Sequence, residues 1–311
     1  MTVIDLHTMR ESSPPPFSVI CLGNFDGVHI GHQRLMQTVK EKTAELSERF
    51  DGIAGGVCFF RSPPANFFAK DPPPQLMTFQ QKLSVFAALG MDFAFVTDFE
   101  ELRSASPEAF VTETLKDAFH CVFSVCGFNF HFGKNASGTA DDLVRLMDGN
   151  AAVVAPVQNG GTLVSSSRIR QLLAEGSVEH AASLLGRPYF IEAEVLHGKA
   201  LGRKLGIPTI NQQFPEQIAI PKHGIYVSKT HVNGVSYPSV SNIGIRPSVD
   251  DGYHVNCETH VLGWNSELYG QTVKVEFLKQ IRDELRFDSL EELRAKIQSD
   301  ISEAKAYYEI L

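Results

Sequence analysis

The spacing of apolar residues changes partway along this chain, and the change restricts the folds available to it. Up to residue 185, short apolar runs alternate with segments whose apolar residues recur at helical spacing. Such alternation is typical of a parallel sheet covered by helices on both faces. Beyond residue 185, strand-like runs follow one another with short turns, which is typical of a small antiparallel β-barrel. We therefore predict two domains: an α/β domain over residues 1–185 and a β domain over residues 186–311.

In the first domain, five short apolar runs are predicted to be buried strands, because each is bounded by polar or turn-forming residues. They are Val19–Leu22, Ile53–Phe60, Phe93–Val96, Val122–Cys126 and Val153–Val157. Helices are predicted between them, over the segment that carries Leu35, Val39 and Leu46 and over Pro107–Phe119 and Thr139–Met147. Proline clusters are excluded from central strands and helices, so they mark a leading tail at Pro14–Pro16 and one long loop containing Pro63–Pro64 and Pro72–Pro74. A loop of this length is often a flap over a ligand.

The second domain is predicted to begin after a short helix that Ser177 caps and that ends at Gly186. Its predicted strands are Phe190–Leu196, Ile225–His231, Val235–Ile243, His254–Leu262 and Thr272–Phe277. Asn233–Gly234 is a strong signal for a two-residue hairpin. Ser289 and Glu292 form a capping box, and an apolar stripe predicts a terminal helix through Leu293, Ile297, Ile301 and Tyr308.

Composition narrows the function classes. A chain of 311 residues that is 43% hydrophobic can bury two separate cores. Its net charge of -8 weighs against nucleic-acid binding, although a few local donors would suffice for a small phosphorylated ligand. The five cysteines are scattered and odd in number, so we expect reduced core thiols. Neither a secretory start nor an apolar run long enough to span a bilayer is visible, so we expect a cytoplasmic protein without membrane contact; whether it forms a homo-oligomer stays open.

A glycine-rich segment directly after the first predicted strand is the first candidate site. In this position, free backbone N–H groups at a helix start can hold phosphate. His29 and His32 lie three residues apart, so both can donate to phosphate oxygens from one helix face. The other candidate phosphate contacts are Gly23, Asn24, Phe25, Gly27 and Gly31. The alternative is a tight turn whose histidines are merely solvated. Neither a Walker A motif nor G-x-G-x-x-G occurs, which weighs against P-loop chemistry.

This segment resembles the H-x-G-H signature of the nucleotidyltransferases, whose fold is Rossmann-like, and its wording resembles prokaryotic FAD synthetases in particular. Residues 164–170, Val-Ser-Ser-Ser-Arg-Ile-Arg, are similar to the superfamily's I-S-S-T-x-x-R element. The resemblance implies that Ser166, Ser167 and Arg170 join the two histidines on the phosphates of ATP; a helix N-cap is the alternative for the serines. Residues 127–133 are similar to the family's flavin-side element, which implies flavin contacts from Asn129 and Phe130. Without the family, this aromatic cluster would be assigned to the core.

A second glycine-rich segment opens the C-terminal domain. Gly198, Gly202 and Gly206 recur around Arg203, and the run Pro208-Thr209-Ile210-Asn211 follows. The glycines suit a loop over nucleotide phosphates, and the Thr209 and Asn211 oxygens are hard ligands of the kind Mg²⁺ prefers. By itself, the segment could equally be a flexible hairpin.

This second segment resembles the riboflavin kinase signature, whose P-T-x-N element binds magnesium and ATP phosphate. The resemblance implies ATP contacts from Gly198, Gly202, Arg203, Gly206 and Pro208, and metal ligation by Thr209 and Asn211. It also implies that Glu258 is the catalytic base and that Arg246 and Arg282 contact the flavin. Together the two resemblances imply a bifunctional enzyme that uses ATP to convert riboflavin to FMN and FMN to FAD.

One segment departs from the FAD synthetase pattern. Where many members carry Asp-Pro-His-Pro after the second strand, this chain has Arg61-Ser62-Pro63-Pro64. One alternative is therefore a riboflavin kinase whose N-terminal domain has lost adenylyl transfer. The other is a flavin sensor without turnover, against which Glu258, Thr209 and Asn211 argue, because binding alone needs no base.

Overall fold

The computed structural model of the protein describes residues 1–6, 13–198, 202, 206–247 and 253–310. Contacts divide the chain into two compact units, Met1–Ser166 and Ser167–Leu311. The predicted boundary after residue 185 stays a prediction.

A six-stranded parallel sheet lies at the centre of the first unit. The strands of this unit are β1 (Thr2–Asp5), β2 (Phe17–Leu22), β3 (Ile53–Phe60), β4 (Phe93–Thr97), β5 (Cys121–Gly127), β6 (His131–Phe132), β7 (Gly138–Thr139), β8 (Ala151–Val154), β9 (Gln158–Asn159) and β10 (Thr162–Leu163). The order in the main sheet is β1-β4-β3-β2-β5-β8, and β6-β7 and β9-β10 form separate two-stranded pairs. The predicted α/β fold is confirmed. The prediction for the last strand of the sheet was displaced toward the C-terminus, and strand β1 was not predicted.

Helices connect these strands. They are α1 (Ile30–Leu46), α2 (Ala65–Phe68), α3 (Phe79–Ala88), α4 (Phe99–Leu102), α5 (Pro107–Ala109), which continues as a π-helix (Phe110–Ala118), and α6 (Ala140–Leu146). Single 3₁₀ turns cover Asp26–Val28 and Lys134–Ala136. Capping boxes at Thr78 and Thr139 fix the starts of α3 and α6, because each threonine accepts from a backbone N–H of the first turn. The predicted helices are present. The predicted proline-rich loop contains the short helix α2 and is followed by α3.

Strand β3 requires glycine at residue 56, where it pairs with Phe93 of β4. A Cβ at Gly56 would lie 2.4 Å from the Phe93 ring and 2.5 Å from the Phe93 carbonyl oxygen, so no larger residue fits. This close approach lets Phe93 and Phe95 pack into the core on β4, where Phe95 stacks on Phe119 with ring centroids 3.9 Å apart.

The second unit is a nearly closed antiparallel barrel. Its elements are α7 (Ser166–Ala174), which begins at the last residue of the first unit, α8 (Val178–Leu185), β11 (Tyr189–Glu194), β12 (Ile210–Gln213), β13 (Gly224–Val232), β14 (Val235–Pro247), β15 (Tyr253–Val261), β16 (Thr272–Arg282) and α9 (Leu290–Ile310). The strand order is β11-β16-β13-β14-β15-β12. A bridge between Leu196 and Asn211 joins the two ends of this sheet. The predicted barrel, hairpin and terminal helix are confirmed, whereas strand β12 was not predicted.

Buried hydroxyl groups cross the barrel core. Ser228, Ser239, Ser241 and Thr259 are fully buried and hydrogen-bond to one another over 2.7–2.9 Å. Because these groups satisfy each other, their desolvation is offset. Tyr308 of helix α9 donates to the Ser228 carbonyl at 2.7 Å, which ties the helix to the barrel.

Candidate active sites

The order of the parallel sheet indicates where a ligand would bind to the first unit. From β2 the chain passes to β3 and β4 on one side and then returns to β5 on the other side. Ligands of open parallel sheets bind outside the carboxyl ends of the strands at such a reversal. The segment Gly23–His32 follows β2, and Asn129 and Phe130 follow the neighbouring β5. The fold therefore brings both predicted elements to the same edge of the sheet.

The turn after β2 has an unusual backbone. Phe25, Gly27 and Val28 have φ values of 50°, 78° and 42°. Positive φ is unfavourable for phenylalanine and more so for the β-branched valine, so the surrounding contacts must hold this turn in place. Asn24 is exposed, whereas Phe25 is fully buried and packs edge-on against His32 and Phe86. Any contact of Phe25 with ATP would therefore come from its backbone.

The two histidines are stacked, with ring centroids 3.6 Å apart. His29 is the N-cap of α1, and its Nδ1 accepts from the His32 backbone N–H at 3.3 Å. Since Nδ1 accepts, the neutral His29 ring carries its proton on Nε2, where it can be donated to a ligand. A Cβ at Gly31 would lie 3.1 Å from His29 Nδ1, so glycine there leaves room for the ring.

The predicted serine–arginine element begins helix α7. Ser166 Oγ donates to the Asp26 carbonyl at 2.9 Å, so Ser166 lies beside the turn that carries His29. The Arg170 guanidinium donates to Ser167 Oγ at 3.2 Å, one helical turn away. On the flavin side, Asn129 is exposed and Phe130 stacks on Phe132 with centroids 5.6 Å apart.

In the barrel, strand register brings the two principal predicted residues together. Asn211 on β12 lies directly opposite Glu258 on β15, and Asn242 on β14 lies opposite Glu258 on the other side. A Cβ at Gly198 would lie only 2.6 Å from Asn211 Nδ2, so glycine at this position lets the backbone of residue 198 lie close to the Asn211 side chain. A predicted base and a predicted metal ligand thus occupy adjacent strands.

Thr209 lies next to this pair, at a cavity of about 340 Å³. The lining also includes Gly206, Pro208, Thr259 and Tyr269. His260 donates from Nδ1 to the Pro208 carbonyl at 2.7 Å and so holds the Pro-Thr-x-Asn strand in place. A Cβ at Gly202 would lie 2.3 Å from the Ile207 carbonyl oxygen and 3.4 Å from Thr209 Oγ1. Both the volume and the mixed lining are within the range of small-molecule sites.

Of the three arginines predicted at the kinase site, only Arg282 has a side chain that the structure describes. Arg203 lies outside the described residues, and only the backbone of Arg246 is described. The Arg282 guanidinium donates to both carboxylate oxygens of buried Asp300, at distances of 2.7–3.2 Å, and to the Asp283 carbonyl. These contacts anchor Arg282 to helix α9.

The chain is similar to known proteins over nearly its whole length. Residues 12–168 match the FAD synthetase family model, and residues 185–308 match the riboflavin kinase model. The chain is 34% identical over 309 residues to the bifunctional riboflavin kinase/FMN adenylyltransferase of Bacillus subtilis, covering 97% of this chain and 95% of that one. It is also 34% identical to the Pseudomonas fluorescens protein of the same name, covering 97% and 96% of the two chains.

This chain belongs to the bifunctional riboflavin kinase/FMN adenylyltransferase family. A crystal structure described as a macrolide-efflux protein from Streptococcus pneumoniae is also similar, with 28% identity, a TM-score of 0.88 and coverage of 98% and 99%. In the part of our chain that the structure describes, no helix is both long and apolar enough to cross a membrane.

Arg61, the first residue of the Arg61-Ser62-Pro63-Pro64 segment, directly follows β3. The Arg61 guanidinium pairs with Asp5 at the end of β1 and lies 3.9 Å from the Asp98 carboxylate after β4. It also lies over the Phe79 ring, 5.1 Å from its centroid. Arg61 thus joins three strand ends at the base of the proline-rich segment.

Two residues at the candidate sites were not predicted from the sequence. His260 follows the predicted base by two residues, and its contact with Pro208 depends on strand pairing that no local pattern reveals. Lys82 is almost fully buried below the turn after β2, and its ammonium donates to the Asn24 carbonyl. A lysine four residues before buried Phe86, on the same face of α3, is the signal that could have revealed it.

Proposed function

We propose that this chain phosphorylates riboflavin to FMN in its barrel and adenylylates FMN to FAD at its parallel sheet, using ATP in both steps. The observation that carries the proposal is that each family-matched part of the chain contains one of the two candidate sites. One is the turn with His29 and His32, and the other is the Asn211–Glu258 pair beside Thr209.

In the kinase step, the riboflavin 5′-hydroxyl oxygen forms a bond to the γ-phosphorus of ATP, and ADP leaves. We assign Glu258 to orient this hydroxyl and to accept its proton. An ordinary carboxylate is a weak base, but a loose phosphoryl-transfer transition state requires mainly alignment and late proton removal. The strand register supports this role, because Glu258 lies between the amides of Asn211 and Asn242. The cavity lined by Gly206, Pro208 and Thr209 would receive the nucleotide together with Gly198, Gly202 and Arg203.

The donor set beside Glu258 fits Mg²⁺. Thr209 and Asn211 offer neutral hard oxygens, and Mg²⁺ commonly takes only one or two protein ligands and completes its shell with phosphate and water. When bound there, Mg²⁺ would neutralise charge on the ATP phosphates. Among the described residues, no group of three or more His, Cys, Asp or Glu side chains forms an alternative metal site.

In the adenylyl-transfer step, an FMN phosphate oxygen forms a bond to the α-phosphorus of ATP, and pyrophosphate leaves. The His29 Nε2–H, His32, Ser166, Ser167 and Arg170 would donate to phosphate oxygens as charge develops on them. The backbone N–H groups of Gly23, Asn24, Phe25, Gly27 and Gly31 would add to this set. Asn129 and Phe130 would contact the flavin of FMN, and Arg246 and Arg282 the riboflavin in the barrel.

The match to the FAD synthetase model supports two activities over a kinase with a degenerate N-terminal domain. A separation of flavins tests the proposal directly. The purified protein is incubated with riboflavin, ATP and Mg²⁺, and the products are resolved by chromatography. FAD is the expected product; FMN without FAD would favour the kinase-only alternative, and no product would favour a flavin sensor.

The proposal also includes a cytoplasmic location and a functional boundary between the two domains after residue 185. The five cysteines are buried and free, which suits the reducing cytoplasm. A functional boundary after residue 185 agrees with the start of the riboflavin kinase match at residue 185.

A further inference from the structure

Lys82 is a charged side chain in an apolar part of the first unit. It lies on helix α3, is 2% exposed, and has the buried Phe86 one helical turn further on. Its ammonium lies 5.9 Å from the centroid of the Phe59 ring. A buried ammonium is costly unless specific partners surround it, so its contacts are informative.

Lys82 contacts two segments: the turn after β2, which is the proposed phosphate-binding turn, and the proline-rich segment, residues 61–78. Lys82 Nζ donates to the Asn24 carbonyl at 3.2 Å and to Gln75 Oε1 at 3.4 Å. Burial lowers the pKa of Lys82, and the nearby Asp26 carboxylate opposes this shift. Asp26 in turn accepts from the Leu76 backbone N–H at 2.7 Å. Lys82 and Asp26 therefore both connect the turn after β2 to the proline-rich segment, and they do so at the neighbouring residues Gln75 and Leu76.

The turn needs such support. Asn24 directly precedes Phe25, and three of the four residues from Phe25 to Val28 have positive φ. A backbone in this conformation persists only where neighbouring groups over-determine it. By donating to the Asn24 carbonyl, Lys82 restricts the peptide group between Asn24 and Phe25, where the strained stretch begins.

We propose that Lys82 is a positioning residue of the adenylyl-transfer site: its buried ammonium holds the strained turn at Asn24 and couples it, through Gln75, to the end of the proline-rich segment 61–78. This inference rests on the proposed function of the turn. The ammonium acts from behind the turn, through the Asn24 carbonyl. Loss of Lys82 should therefore affect the use of ATP in FAD formation and leave FMN formation in the other unit unchanged.

The test compares Lys82→Met, which removes charge and donor, with Lys82→Arg, which keeps both. Lys40→Met is the matched control, because Lys40 is exposed and also donates to a backbone carbonyl, that of Leu89, at 3.5 Å. The kcat and the KM for ATP are measured for FMN adenylylation, and riboflavin phosphorylation is measured on the same samples. We expect Lys82→Met to lower kcat/KM for ATP by about tenfold or more. Lys82→Arg should recover part of this loss, and Lys40→Met should behave as the unaltered protein.

A purely structural lysine would give a different result. The melting temperature of Lys82→Met would fall, but well below it the adenylylation kinetics would match those of the unaltered protein, and the inference would be overturned. An equal loss in Lys40→Met would also overturn it. If the unaltered protein makes no FAD from FMN, the proposed function itself fails, which is a distinguishable outcome.

A second variant keeps the inference testable if Lys82→Met does not fold. Gln75→Ala removes only the contact to the proline-rich segment, and Gln75 is half-buried in a loop. We expect trypsin to cleave this variant after exposed Lys70 several-fold faster than the unaltered protein, with a raised KM for ATP in FAD formation. Unchanged cleavage together with unchanged kinetics would refute the coupling through Gln75.

Discussion

Replacing Gly198 by alanine provides a test of the kinase site, because the added methyl group would meet Asn211. The new Cβ would lie 2.6 Å from Nδ2 and 2.8 Å from both Cγ and Oδ1 of Asn211. The φ of Gly198 lies outside the left-handed region, so alanine is compatible with the backbone and the effect is steric.

The size of the effect can be worked from these distances. Ordinary van der Waals contact begins at 3.4 Å, so the Asn211 amide must move by about 0.8 Å. A misplacement of roughly 1 Å at a catalytic group can cost about 100-fold in rate. We therefore expect FMN formation to fall by about one to two orders of magnitude, with a raised Mg²⁺ requirement.

The assay follows FMN formation from riboflavin and FAD formation from supplied FMN by chromatography. FAD formation should not change, because Gly198 belongs to the barrel unit. Asn211→Ala and the Gly198→Ala/Asn211→Ala double variant complete a double-mutant cycle. If the effect acts through Asn211, the double variant is no slower than Asn211→Ala. A wild-type rate of FMN formation in Gly198→Ala would refute the reasoning, because the backbone around residue 198 would then have moved and the Asn211 amide would have kept its position.

Four further outcomes are expected. Glu258→Ala should abolish FMN formation while FAD formation from supplied FMN continues, as chromatography of both reactions would show; loss of both would mean that the domains are misassigned. His29→Ala removes an N-cap and a stacked donor, and should lower FAD formation by about tenfold or more without changing the kinase rate. Asp300→Ala leaves the Arg282 guanidinium without its buried partner and should lower the free energy of unfolding by about 3–5 kcal/mol in a denaturant titration; a loss below 1 kcal/mol would contradict this. Burial raises the pKa of the Cys58 thiol to about 12 and that of Cys126 to about 11, so both stay protonated at pH 8, and a thiol reagent should label the cysteines only after unfolding.

Local patterns predicted the elements whose signal lies within a few residues. Strand β3 was predicted with its observed limits, Ile53–Phe60, because this apolar run is bounded by the turn residue Gly52 on one side and by Arg61 on the other. The hairpin at Asn233–Gly234 was also correct, since both residues have the positive φ that such a turn requires. Strand β1 (Thr2–Asp5) was missed because it exists by pairing with distant β4. Strand β12 was missed for the same reason: it pairs with β15, far along the chain.

The candidate sites likewise combine features that lie within one stretch of sequence with contacts that only the tertiary structure reveals. The motif at residues 23–32 and the Pro-Thr-x-Asn run are contiguous, so both could be recognised in the sequence, and their resemblance to family signatures implied their phosphate chemistry. The pairing of Asn211 with Glu258, the contact of His260 with Pro208 and the burial of Lys82 below Asn24 join residues from separate strands and helices. Strand register and core packing decide such contacts, because they depend on which distant segments lie side by side. The sequence by itself therefore determined the two fold types and, through the family resemblance, the expected activities, whereas the tertiary structure alone decided which side chains from distant segments meet at each candidate site.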